Sequence, residues 1–203
     1  MFGSLSAQLN VELFMNRGIN QFFNKKYTDA IHTFNTVIRS KPDMAEPHIW
    51  RGRAKYKIGD MVGAEYDLSR AIKLDTYNPD AYYYRGLVKA ELFDYYSALD
   101  DFEKSLDRRP NNPEVYYSRG TVRLIMKNYT VAIGDYDTLL LLQRDHAQGY
   151  INRSKAKAGL GRIDEAIKDC NFVIRYSPFN SQAFVQRGLL HQKLGQLEEA
   201  ISD

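Results

Sequence analysis

An arginine followed by a glycine recurs along this chain every 34 residues: Arg17-Gly18, Arg51-Gly52, Arg85-Gly86, Arg119-Gly120 and Arg187-Gly188, with Arg153-Ser154 filling the fifth slot. Twelve residues after each of these slots stands an alanine: Ala30, Ala64, Ala98, Ala132, Ala166 and Ala200. No insertion or deletion disturbs the count. A chain built this way is an array of one small unit, and stacking against neighbours supplies the core that a single unit lacks.

The third copy, residues 79–112, shows what the unit is. Asn78 suits the cap of a helix and Pro79 its first turn. Tyr82, Gly86 and Ala90 follow at helical spacing. A turn is expected near Phe93-Asp94. A second helix then runs through Ala98 and Phe102 to about Arg108, and Pro110 stops it. Gly86, lacking a side chain, lets the second helix approach at Ala98, and Phe102 fills the space beside them.

In these residues the chain resembles the tetratricopeptide repeat family. The aromatic near each repeat start is Phe14, Tyr82, Tyr116, Tyr150 or Phe184, with His48 in the second repeat. The residue opening the second helix is Tyr27, Tyr95 or Tyr129, elsewhere Met61, Ile163 or Leu197. The large residue after the alanine is Phe34, Leu68, Phe102, Tyr136 or Cys170, and the closing proline is Pro42, Pro110 or Pro178. The resemblance covers residues 11–203 and implies an all-α fold. It implies a right-handed α-solenoid of stacked antiparallel helix pairs, twelve helices or nearly so, with no sheet. The expected organisation is a leader over residues 1–10 and one array over 11–203. Its repeats are 11–44, 45–78, 79–112, 113–146 and 147–180, with a partial one at 181–203. The Arg-Gly and Ala-x-x-Asp rhythm is similar to that of bacterial members.

Composition removes several classes of function. At 203 residues and 44% hydrophobic the chain can bury a core, and its net charge of +3 is small for a nucleic-acid surface. No apolar run reaches transmembrane length. The single cysteine, Cys170, excludes an intramolecular disulfide and sits in the large core slot, so it reads as a small buried hydrophobe. His32, His48, His146 and His191 lie in different repeats without metal-ligand spacing. No nucleophile–base pair or phosphate-cradling loop is present, and no enzyme activity or cofactor is expected.

Both ends carry an expectation. Residues 1–7 (MFGSLSA) read equally as the tail of a secretory signal or as a start codon with a leader. The compartment stays open, cytoplasmic or exported. The chain stops inside the second helix of the sixth repeat without a polar cap, which predicts a fragment of a longer protein. It also predicts apolar surface around Leu189 and Leu197, a route to self-association.

The resemblance implies that the first helices of the repeats line a concave groove. Its slots hold mainly apolar and aromatic residues with mixed charge at the rim, as suits an extended or helical partner segment. Tyr83, Tyr117 and Leu124 are the expected anchor. Tyr56 and Ile49 extend it toward the N-terminus, and Arg53 and Lys57 hold an acidic flank. Packing between adjacent repeats is the competing role for these side chains. The family's clamp for the carboxylate tail of heat-shock chaperones uses Lys and Asn at groove slots that here hold Met15, Ile19, Ile49, Arg53 and Tyr83, so that partner is not expected.

A double basic ladder departs from the family, which has an aromatic at the second slot: Arg51/Lys55, Arg85/Lys89, Arg119/Arg123 and Arg153/Lys157. Like charges four apart on a helix cost about 0.2–0.5 kcal/mol per pair. An acidic ladder, Asp67, Asp101, Asp135, Asp169 and Asp203, can offset this by pairing within a repeat or to the next one. The structural reading is an Arg–Asp ladder joining helices. The functional reading is a basic stripe for an acidic segment, since repeats two to five carry eight of these cations against four aspartates. Leu141 occupies a slot that is polar in other repeats (Arg39, Lys73, Asp107, Arg175) and is expected to pack rather than form a contact patch.

The leading functional class is a non-catalytic protein-interaction scaffold binding a protein or peptide. The alternatives are a self-assembling or spacer module and an RNA-binding helical repeat. The low net charge and the Gly–Ala–Pro punctuation argue against the last.

Overall fold

The computed structural model describes residues 10–203. The expected leader therefore lies outside the described residues, except for Asn10. Among the described residues there are twelve α-helices and no strand. They are α1 (Val11–Phe23), α2 (Tyr27–Ser40), α3 (Ala45–Lys57), α4 (Met61–Leu74), α5 (Pro79–Glu91), α6 (Tyr95–Arg108), α7 (Pro113–Ile125), α8 (Tyr129–Leu142), α9 (Ala147–Gly159), α10 (Ile163–Tyr176), α11 (Ser181–Lys193) and α12 (Leu197–Ser202). They fall into two compact units, Met1–Pro110 with α1–α6 and Asn111–Asp203 with α7–α12. In the first unit each helix packs on the next, and α3 also touches α1 and α5. The second unit repeats this, with α9 touching α7 and α11.

Local chemistry sets the helix ends. Asn10, Asn78 and Asn180 accept backbone N–H bonds at the starts of α1, α5 and α11. Asp60 and Asp94 do the same for α4 and α6, and His146 Nδ1 accepts from Gly149 at 2.9 Å to cap α9. The turn inside each hairpin needs one residue at positive φ. Gly59, Gly161 and Gly195 supply it in three repeats, while Lys25, Phe93 and Lys127 take the same conformation at 60–62° in the others. A side chain there is disfavoured by roughly 1–2 kcal/mol, so glycine is preferred at this slot but not required.

The recurring glycine meets the large residue sixteen positions later. A Cβ on Gly86 would stand 2.7 Å from the Phe102 ring, and one on Gly120 would stand 3.0 Å from Tyr136. The fifth repeat inverts the sizes. Ser154 replaces the glycine and Cys170 the large side chain, both fully buried, with Oγ and Sγ 3.3 Å apart. One site gains volume as its partner loses it, so the packed space is conserved. Burial pushes the Cys170 thiol pKa up, consistent with an unreactive core residue. Ala30, Ala64, Ala98, Ala132 and Ala166 are fully buried in the same contacts. Leu141 does not pack: it is 76% exposed on α8, while Leu139 and Leu140 take the core positions. The helical period turns the residue after Leu140 outward, and the hairpin does not bend to cover it.

Candidate functional site

Each hairpin has a face held by ions. Arg51 donates through Nε at 2.8 Å and through Nη2 to the carboxylate of Asp67, and Lys55 Nζ stands 2.9 Å from the same group. The pattern repeats with Arg85 and Lys89 on Asp101, Arg119 and Arg123 on Asp135, and Arg153 and Lys157 on Asp169. All four aspartates are buried. The pairing is within the repeat, and in Arg51, Arg85 and Arg153 the remaining nitrogen reaches back one repeat. Nη1 of Arg51 donates to Asn35 at 2.7 Å, that of Arg85 to Ser69 at 3.2 Å, and that of Arg153 to Asp137 at 2.7 Å. Each aspartate thus holds two cations, and none of the eight is left over as a stripe for an acidic ligand. Burial alone would raise the Asp67 carboxyl, but contact with His48 and hydrogen bonds from Arg51 and Lys55 outweigh it and hold the group well below the usual carboxylate range. His48 fills the aromatic slot of its repeat, is buried, and places Nδ1 3.5 Å from Asp67, with no well-formed hydrogen bond at either ring nitrogen. The first repeat has a neutral version: Thr33 donates to Gln21 at 2.7 Å, and Arg17 is exposed.

The opposite face of the first unit, made by α1, α3 and α5, is aromatic. Trp50 packs edge-on to Phe22 and Phe23, with centroids 5.4 and 5.9 Å away, and stacks toward Phe34. Its indole N–H points to Glu46 at 3.4 Å. The Arg53 guanidinium lies 3.8 Å over Trp50, 4.3 Å over Tyr84 and 4.9 Å over Phe22. Tyr56 is half-buried, donates to Glu91 at 3.4 Å, and lies under Lys57 Nζ at 5.5 Å. Burial and the Glu91 carboxylate raise the Tyr56 pKa. Tyr83 is half-buried against Tyr84 and Phe102. Lys57 and Phe23 are exposed.

Ile49 has to be reassigned. It is 5% exposed and packs with Leu68, Ala81 and Val88, so α5 closes over it and it belongs to the core rather than to an accessible anchor.

In the second unit Tyr117 is half-buried between Tyr136 and His146, with Asn152 Nδ2 at 3.5 Å from its hydroxyl. Leu124 packs beside it against the cluster of Ile133, Tyr136 and Leu139. A cleft of about 640 Å³ opens elsewhere in this unit, lined by Tyr150, Phe172 and Tyr176 with Arg144 and Asp145. Leu189 and Leu197 are exposed.

The sequence suggested one face for Tyr56, Arg53 and Lys57; Lys57 Nζ lies over the Tyr56 ring, whereas Arg53 meets Trp50, Tyr84 and Phe22. It did not assign Trp50, Phe22 and Tyr84 to the arginine. Their spacing, with Trp50 three residues before Arg53 on one helix, was the available signal. Among the described residues no group of His, Cys, Asp or Glu is arranged to hold a metal ion, and no helix is long and apolar enough to cross a membrane.

Tetratricopeptide-repeat sequence profiles match residues 15–81, 79–112 and 181–203. Among curated proteins none matches the chain. Among solved structures, pilF of Pseudomonas aeruginosa is 15% identical with a TM-score of 0.81, covering 95% of this chain and 87% of that one. MamA is 22% identical with a TM-score of 0.73, covering 85% and 94%. YrrB, described as a tetratricopeptide protein with an unusual peptide-binding site, is 24% identical with a TM-score of 0.73, covering 83% and 87%. At these identities the likeness is one of fold.

Proposed function

The chain belongs to the tetratricopeptide repeat family, and from that premise we propose that it is a non-catalytic interaction scaffold. It holds a peptide or helical segment of a protein partner on the face that the first helices of the hairpins make within a unit, α1, α3 and α5 in the first. The observation that carries this reading is the contrast between the faces. The ion-paired face satisfies its own charges, whereas the face of α1, α3 and α5 leaves Phe23 66% exposed and Tyr56 and Tyr83 half-covered. Large aromatic side chains become strong anchors when a partner removes their remaining contact with water. A peptide-binding site in a protein of like fold, YrrB, is in keeping with this use. In the second unit Tyr117 and Leu124 take the equivalent places on α7.

The test is a pull-down from the native host with the wild-type chain and with Tyr56→Ala/Tyr83→Ala and Tyr117→Ala/Leu124→Ala, each shown folded by circular dichroism. Loss of a partner from either variant is the expected outcome. Retention of every partner by both removes this face as the binding site.

A further inference from the structure

Arg53 differs from the ladder arginines in a way that points outward. A guanidinium carries five N–H donors in a planar fork and stays charged in a protein. In Arg51, Arg85 and Arg153 those donors go to an aspartate and to an acceptor one repeat back. Arg53 is half-buried, yet among the described residues it makes no hydrogen bond and no ion pair, and its Nε is buried without an acceptor. Its contacts are the faces of Trp50, Tyr84 and Phe22. Burial lowers its pKa, so the surroundings penalise the charge they hold. Asp80, whose field reaches it, is already gripped by Arg109 at 2.8 and 3.3 Å.

Cation–π contacts offset part of this penalty, at roughly 0.5–2 kcal/mol each. They fix the plane of the fork and leave its edge donors unused. A planar fork held in place, with its Nε lacking an acceptor and its Nη groups paired with nothing among the described residues, is complementary to a carboxylate, which takes two parallel N–H bonds. Beside it Phe23 stays exposed against Trp50, a place for an apolar neighbour of that carboxylate. The field of Asp80, which already reaches Arg53, disfavours a dianion more than a monoanion, so one carboxylate fits better than a phosphate.

We propose that Arg53 is the receptor for an aspartate or glutamate side chain of the bound segment, with an apolar residue next to it seated on Phe23 and Trp50. This rests on the scaffold reading above and names the partner's chemistry. The chain's single tryptophan is Trp50, so its emission reports on the site directly.

The probes are the capped peptide acetyl-Gly-Phe-Glu-Leu-Gly-amide and its glutamine and phosphoserine counterparts, titrated at millimolar concentration with excitation beyond the tyrosine band. The glutamate peptide should saturate a change in Trp50 emission and bind about tenfold tighter than the glutamine peptide, about 1.4 kcal/mol. Arg53→Met should abolish that preference and Arg53→Lys should keep only part of it, both with unchanged helicity. Equal binding of the glutamate and glutamine peptides, or a preference that survives Arg53→Met, overturns the proposal. Tighter binding of phosphoserine overturns it in favour of a phosphate. A glutamate peptide that fails to bind overturns it too. If Tyr56→Ala/Tyr83→Ala still loses a partner in that case, the face itself stands as a binding site.

Discussion

Arg51 and Arg53 stand two residues apart on α3 and have opposite surroundings. Arg51 gives its donors to Asp67 and Asn35 and shares the aspartate with Lys55. Arg53 rests on three aromatic rings and gives its donors to nothing among the described residues. Residue type, helix and partial burial are shared, so the difference lies in the partner. A paired, buried arginine joins helices. An unpaired one on aromatic faces is costly to the free protein and becomes useful when an anion arrives.

The largest effect that sharpens this contrast is expected from removing the shared carboxylate. Asp67→Ala leaves Arg51 and Lys55 facing each other in a buried site and should lower stability by about 3–5 kcal/mol in urea unfolding. A loss under about 1 kcal/mol would mean that the ladder is not cohesive. The effect carries a pH signature. The folded-state pKa of Asp67 is depressed, so its contribution is complete above the unfolded value, about 4, and is lost as pH falls through the folded one. The gap between wild type and Asp67→Asn should therefore narrow in acid.

A smaller effect tests whether the pair acts as a unit. Arg85→Ala and Asp101→Ala should each destabilise, and the double variant should lose less than their sum by about 0.5–3 kcal/mol. Strict additivity would break the comparison by showing that Arg85 and Asp101 do not depend on each other.

Much of the fold was legible because a 34-residue clock repeats each piece of evidence. The turn, the caps and the close approach at Gly86 follow from single residues with few alternatives. The left-handed turn slot was harder to see, since Lys25, Phe93 and Lys127 hide what Gly59 shows. The Ser154–Cys170 exchange looked like two separate exceptions until their contact joined them. Site residues were less legible. Ile49 shares its slot with Tyr83, but how far a neighbouring helix closes over a side chain is a matter of packing, and α5 buries it. Leu141 was expected to pack, yet hydrophobicity alone does not turn a helix face inward. The charge of Arg53 was visible in the sequence. Its lack of an acceptor is a three-dimensional fact, and that fact separates it from Arg51.

The most direct test is a pair of unfolding curves, for Arg51→Met and Arg53→Met against wild type. Methionine keeps much of the apolar stem in both and removes only the guanidinium. The account predicts that Arg51→Met loses about 1.5–3 kcal/mol, as expected for hydrogen bonds to a charged partner. Arg53→Met should change stability by less than about 1 kcal/mol, because the stacking energy it gives up is set against relief of an unpaired, half-buried charge. Equal losses in the two variants would contradict the account and make Arg53 one more structural arginine.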